Sequence, residues 1–211
     1  MEKINNLQKF LKGSHEAILI CSPENRRYFT GFPSSDGYLL VTKDDAVFFT
    51  DSRYIEAAQK SAICEARQVT RVSTEIKDYV KEKNIFKIYT ERERLTVSMA
   101  DFLKTVFLPC RVTPSKRLEK KIDDIRMVKS SEEVENIKKA QAIAEAAFEH
   151  ILTFIKPGVT EKQIALELDF YMLSHGAEAL SFETIAVAGK KTSMPHGVPD
   201  DNKVCEGDFV T

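Results

Sequence analysis

Residues 16–21 (EAILIC) form a short apolar run between Gly13-Ser14 and Ser22-Pro23, the pattern of a buried strand. Two further runs follow, 37–42 (GYLLVT) and 46–50 (AVFFT), and Lys43-Asp44-Asp45 between them has turn chemistry, so the spacing predicts a hairpin. From Ser52 to Ala62 the composition turns helical, with Tyr54, Ile55, Ala58 and Ala62 on one side. The pattern continues with a helix over 74–83, a strand at Phe86-Lys87-Ile88-Tyr89, a helix over Val97 to Val106 and a strand at Cys110-Arg111-Val112-Thr113. Strands alternating with helices predict an α/β layered domain over residues 1–120, a mixed sheet flanked by helices, joined to the rest near Lys120 to Ile125.

The region 126–211 carries the strongest helix signal. Ser130 and Glu133 have the spacing of a capping box. Val134, Ile137, Ala144, Phe148, Ile151 and Ile155 then share one face of a helix about seven turns long. Lys156-Pro157-Gly158 stops it, and Thr160 with Gln163 opens a second capped helix with Ile164, Leu168, Tyr171 and Met172 on its expected buried face. His175-Gly176 ends that helix, with Gly176 in the position of a left-handed cap. Strand-like sequence returns at Thr184 to Val187 and at Phe209-Val210-Thr211. Such a unit leaves a sheet face with too little to cover it, so the second domain is expected to be incomplete.

Charge and composition narrow the function. Thirty-one basic residues against thirty-two acidic ones give a formal net charge of -1, with no basic face of the kind nucleic acid requires. The hydrophobic share of 43% fits a chain that buries a core. Cys21, Cys64, Cys110 and Cys205 are scattered without a CxxC pair, which fits a reducing compartment. There is no signal-peptide pattern at the N-terminus and no apolar run of membrane-spanning length, so a cytoplasmic protein without membrane association is expected.

Candidate chemistry is sparse. GxSxG, HExxH, GxGxxG and GxxxxGK are all missing. Asp44-Asp45, Asp123-Asp124 and Asp200-Asp201 are read as solvated turn or helix-cap elements. His15 is placed in a turn, His150 late in a long helix and His175 in the last turn of the next. His196 differs, because Met194-Pro195-His196-Gly197-Val198-Pro199 is too rich in Pro and Gly for a helix or a central strand. A histidine on such a stiff loop can project its ring into a cleft and exchange protons near neutral pH, or it can be an exposed loop residue without a role; both readings stay open. Asp51 and Arg53 sit at a strand-to-helix junction, where Asp51 or Ser52 is expected to cap the helix that follows.

Several short motifs occur in order. They are Arg126-Met127-Val128-Lys129-Ser130-Ser131-Glu132-Glu133, Lys156-Pro157-Gly158-Val159-Thr160-Glu161, Gly176-Ala177-Glu178, Ser181-Phe182-Glu183-Thr184-Ile185, Pro195-His196-Gly197 and Gly207-Asp208. In this order they resemble the opening of the pita-bread (M24, creatinase-like) metallopeptidase family, in its Xaa-Pro aminopeptidase and prolidase branch. Asn25-Arg26-Arg27-Tyr28-Phe29-Thr30-Gly31-Phe32 and Thr50-Asp51-Ser52-Arg53-Tyr54 are similar to the N-terminal creatinase-like domain of that branch.

The resemblance implies a metal-dependent aminopeptidase that hydrolyses the bond before proline in peptides. A pair of divalent ions (manganese, cobalt or zinc) would serve it, held by Asp, His and Glu side chains. The resemblance places that ligand set after Thr211, and Asp208 is read as part of a turn, so no metal is expected in this chain and the chain alone is expected to be inactive. It also places the substrate-side catalytic histidine, which contacts the peptide and helps stabilise the intermediate, on His196. A proline-containing peptide is the implied partner, and a homodimer the implied assembly. Two other outcomes stay open: a metal-free C–N hydrolase of the creatinase type, and a pita-bread binding module without catalysis.

Overall fold

The structure is a computed structural model and describes residues 1–71 and 74–211. The chain divides into two units, Met1–Val128 and Lys129–Thr211.

The first unit runs α1 (Glu2–Gln8), β1 (Glu16–Ile20), α2 (Pro23–Thr30), β2 (Tyr38–Val41), β3 (Ala46–Thr50), α3 (Ile55–Ser61) and β4 (Glu65–Gln68). It continues with α4 (Glu75–Glu82), β5 (Lys87–Thr90), α5 (Val97–Val106), β6 (Arg111–Pro114) and α6 (Lys116–Met127). The strands form one six-stranded sheet in the order β4-β3-β2-β1-β5-β6. β2 pairs antiparallel with β1 on one side and with β3 on the other, with Leu19 opposite Leu40 and Leu40 opposite Val47. β4, β5 and β6 join in parallel, so the sheet is mixed, as the alternation of elements predicts.

The apolar runs are continuous because both faces of the sheet are covered. Ile18, Ile20, Leu39, Val41 and Phe48 point to one face, against Leu7 of α1, Phe29 of α2, Ala58 of α3 and Leu118 and Ile122 of α6. Their neighbours Ala17, Leu19, Leu40, Val47 and Phe49 point to the other, against Ile76, Tyr79 and Val80 of α4 and Leu103 of α5. The alternation is the ordinary period of two along a strand.

Two elements differ from the pattern reading. Lys120 to Ile125, expected as a join, lies inside α6, whose Leu118 and Ile122 are in the core. The polar β4 (EARQ) buries only Ala66, so it has no apolar signature and is specified by pairing with β3.

The second unit contains α7 (Ser131–Phe154) and α8 (Glu161–Ser174), followed by a 3-10 turn at Gly189–Ser193. Both expected capping boxes are formed, Ser130 with Glu133 and Thr160 with Gln163. Gly176 has φ +102, as its cap position requires. The segments expected as strands do pair, Val187 N–H to Thr211 O and Thr211 N–H to Val187 O at 2.9 Å each, but only as an isolated bridge at Ala188 and Val210.

The expected apolar face of α7 is largely uncovered. Val134, Ile137 and Phe148 are 38%, 56% and 59% exposed, and only Ile151 of the predicted set is fully buried. The small core of this unit (Ile151, Val159, Ile164, Ala186, Ala188 and Val204) reaches only the C-terminal end of the helix. Among the described residues no helix is long and apolar enough to cross a membrane.

Candidate functional site

The loop between Ala188 and Asn202 carries His196. Its first part is the 3-10 turn, and Met194 N–H then bonds Lys191 O while Gly197 N–H bonds Met194 O, each at 3.0 Å. These bonds fold 191–197 into consecutive tight turns, and Pro195 adds its fixed φ. Gly197 is buried against Val187: a Cβ there would lie 2.9 Å from Val187 Cγ1. One position earlier, His196 is exposed. The loop is thus pressed onto the Val187 segment on one side and presents the imidazole on the other. Among the described residues no hydrogen bond, ion pair or ring contact engages His196.

Beneath the loop lies a buried carboxylate, the Glu161 that closes the Lys156–Glu161 motif. Glu161, in the first turn of α8, is 0% exposed. Its Oε1 accepts from the Ala188 amide and from Asn202 Nδ2, both at 2.9 Å. Its Oε2 accepts from Lys191 Nζ at 2.6 Å and from the Asp200 amide at 3.1 Å. Lys191 Nζ also donates to Val198 O at 2.7 Å and pairs with Asp200 Oδ2 at 2.7 Å.

Burial alone would raise the Glu161 pKa, but the bonds from Lys191, Asn202 and the amides of Ala188 and Asp200 outweigh it and hold it below the usual carboxylate value. Lys191 lowers Asp200 in the same way, and Asp200 and Glu161 together raise Lys191. The sequence places Glu161 in a family motif but not in a buried network, because its donors lie 27 to 41 residues away. Asp200 is the exposed turn residue expected, its Oδ1 accepting from the Asn202 amide at 2.7 Å, and it is also tied into this network through Lys191.

The other candidates take local roles. Asp208 shapes the expected turn, its Oδ2 accepting from the Cys205 amide at 2.8 Å. His150 stacks on Tyr171 (4.4 Å between centroids) and bonds Glu167 Oε1 at 2.6 Å, and His175 stacks on the same tyrosine at 3.9 Å. His15 Nδ1 bonds Asn84 O at 2.8 Å.

Neither Asp51 nor Ser52 caps α3, whose N-cap is Tyr54 without a side-chain bond. The Asp51 carboxylate instead accepts from the Arg53 amide at 2.8 Å and from the Arg53 guanidinium at 2.6 Å, an Asx-type turn closed by an ion pair. Beside it an open cavity of about 410 Å³ is lined by Pro23, Glu24, Arg27, Pro33, Ser34, Ser35 and Tyr54. Among the described residues no three His, Cys, Asp or Glu side chains converge as a metal would require, so the donors present do not fit a metal pair.

Comparison with known proteins gives this geometry a family. Residues 3–128 match the Creatinase/Prolidase N-terminal domain, and residues 135–211 match metallopeptidase family M24. An uncharacterized peptidase of Bacillus subtilis is 36% identical over 100% of this chain and 59% of its own length. The Xaa-Pro dipeptidase of Pyrococcus furiosus is 29% identical over 99% of this chain and 59% of its own. Among solved structures, a Xaa-Pro dipeptidase from Bacillus anthracis superimposes with a TM-score of 0.91 at 36% identity, over 100% of this chain and 59% of that one. An X-Pro aminopeptidase from Thermotoga maritima gives 0.87 at 30% identity, over 97% and 58%. The chain spans about three fifths of the length of the curated relatives it matches. With its first unit matched throughout its strands and helices, the chain belongs to the creatinase/prolidase family.

Proposed function

We propose that this chain forms part of a metal-dependent Xaa-Pro peptidase, of the aminopeptidase or prolidase kind, in which His196 is the substrate-side histidine. The observation that carries the proposal is the order of the two matches, a Creatinase/Prolidase N-terminal domain followed at once by the M24 metallopeptidase family, together with relatives named as Xaa-Pro peptidases. Residues 126–211 are then the start of the pita-bread domain. On this proposal the metal ligands are assigned to the part of the longer relatives that this chain does not cover.

The role of His196 follows from its chemistry. An exposed imidazole on a braced loop can donate a hydrogen bond to the carbonyl oxygen of the scissile Xaa-Pro bond as negative charge gathers there. A cytoplasmic location, a homodimer and manganese as the metal belong to the same proposal. The test is product analysis: a protein that continues this chain through the metal-ligand region, loaded with Mn²⁺, Co²⁺ or Zn²⁺, should release the free N-terminal residue from Xaa-Pro peptides and leave Xaa-Ala controls intact. Equal cleavage of both, or of neither under every metal, contradicts it.

A further inference from the structure

We propose that Glu161 and Lys191 are positioning residues: together they clamp the Ala188–Asn202 loop and so fix the direction in which His196 points, without touching its ring.

Four donors converge on the single Glu161 carboxylate, and all come from this loop. The Ala188 amide marks where the loop leaves the core, the Asp200 amide and Asn202 side chain mark where it returns, and Lys191 comes from the turn between. One carboxylate therefore closes the base of the loop. The backbone reinforces the closure, with Glu161 N–H to Asn202 O at 3.0 Å and Lys162 N–H to Asp200 O at 3.1 Å. Lys191 carries the restraint to the tip, because its Nζ joins Glu161 Oε2 to Val198 O, two residues beyond the histidine. On the other flank, Lys191 O receives Met194 N–H, and Met194 O receives Gly197 N–H. Polar tethers on both sides of His196 thus pass through Lys191.

A buried carboxylate without donors would be expelled or protonated, and the mostly covered Lys191 head without acceptors would be expelled or lose its proton, so each holds the other in place. Charge-assisted bonds of this length are among the stronger ones available to a loop. The sequence spacing makes local folding an inadequate substitute: Glu161 and Lys191 are thirty residues apart, and the pair forms only when the loop has closed over α8.

The consequence for turnover rests on the proposed role of His196, but the clamp itself does not, and the two can be tested separately. Amide hydrogen exchange in the 211-residue chain reads the clamp. In Lys191→Met, protection at Met194, Gly197 and Asp200 is expected to fall by about 10-fold or more while amides within α8 and within α7 stay within about 2-fold. Lys191→Arg, which keeps the charge and the donors, is expected to restore protection. The ring resonances of His196 should shift or broaden in Lys191→Met and return in Lys191→Arg. Glu161→Gln, which loses the charge but keeps an acceptor, should follow Lys191→Met. Unchanged loop protection in both Lys191→Met and Glu161→Gln overturns the proposal. So does a uniform loss across α7, α8 and the loop in Lys191→Met, because it would make the pair a general stabiliser of the unit. If the clamp passes and His196→Ala leaves peptide hydrolysis by the longer protein unchanged, the reading of His196 fails and the clamp stands.

Discussion

Two buried positions of the first unit show how much single residues decide. Glu91 is 0% exposed and accepts from the amides of Cys21 and Ser22 at 2.7 and 2.9 Å, from Asn25 Nδ2 at 2.6 Å and from the Ser22 hydroxyl. It ties down the segment that leads into α2 from seventy residues away. Glu91→Ala should lower stability by about 3 kcal/mol, since it strands several buried donors at once, and denaturant unfolding measures it. Gly37 has φ +125, and a Cβ there would sit 2.6 Å from Phe49 O and 2.8 Å from Phe48 Cε2. Gly37→Ala is therefore expected to cost roughly 2–3 kcal/mol, because neither the backbone carbonyl nor the packed ring can retreat. His196 could be singled out in the sequence because Pro195 and Gly197 flank it. The burial of Glu91 and Glu161 could not be read there, because a buried acid is recognisable only by its donors, and those come from distant segments.

Among the elements, helix ends were the most legible feature. Ser130 with Glu133 and Thr160 with Gln163 state their own starts within four residues, and both boxes form. Ser130→Ala should destabilise the start of α7 by about 1 kcal/mol, seen as faster amide exchange at Glu133 and Val134. The central strands were legible for a related reason: β1, β2 and β3 are buried on both faces and so read as unbroken apolar runs. The edge strand β4 and the helix α6 were not, because few of their residues face the core and the partners are non-local.

The His196 loop carries a pH prediction. The Glu161 carboxyl is held below its ordinary value of 4.5, so the stabilisation it gives is complete above that pH and is lost as pH falls through the lower folded value. Asp200, also lowered, moves in the same direction, and Lys191 stays charged throughout. Loop amides at Ala188 and Asp200 should accordingly lose protection on acidification below 4.5 before those within β1 and β2 do. Loop protection that stays constant down to global acid unfolding contradicts the assignment.

At the scale of the molecule, the two units differ in how well each covers its own apolar surface. The first encloses a six-stranded sheet between helices on both faces. In the second, Leu166 and Phe170 of α8 are 67% and 70% exposed, beside the exposed Ile137, Phe148 and Leu152 of α7. The separately expressed fragment 1–128 should therefore melt cooperatively, and 129–211 should bind a hydrophobic dye and melt broadly. About two fifths of each relative's length lies outside what this chain covers, and the proposed catalytic metals are assigned to that part. On the proposed reading, the contribution of this chain to chemistry is concentrated in His196, held out by a loop whose supports do not include the ring itself. The most direct test is kcat/KM of His196→Ala for a short Xaa-Pro peptide, in the longer protein with its metal content verified. The account predicts a fall of about 10²–10³-fold, with melting unchanged to within ~0.5 kcal/mol. Undiminished kcat/KM at full metal loading would contradict it.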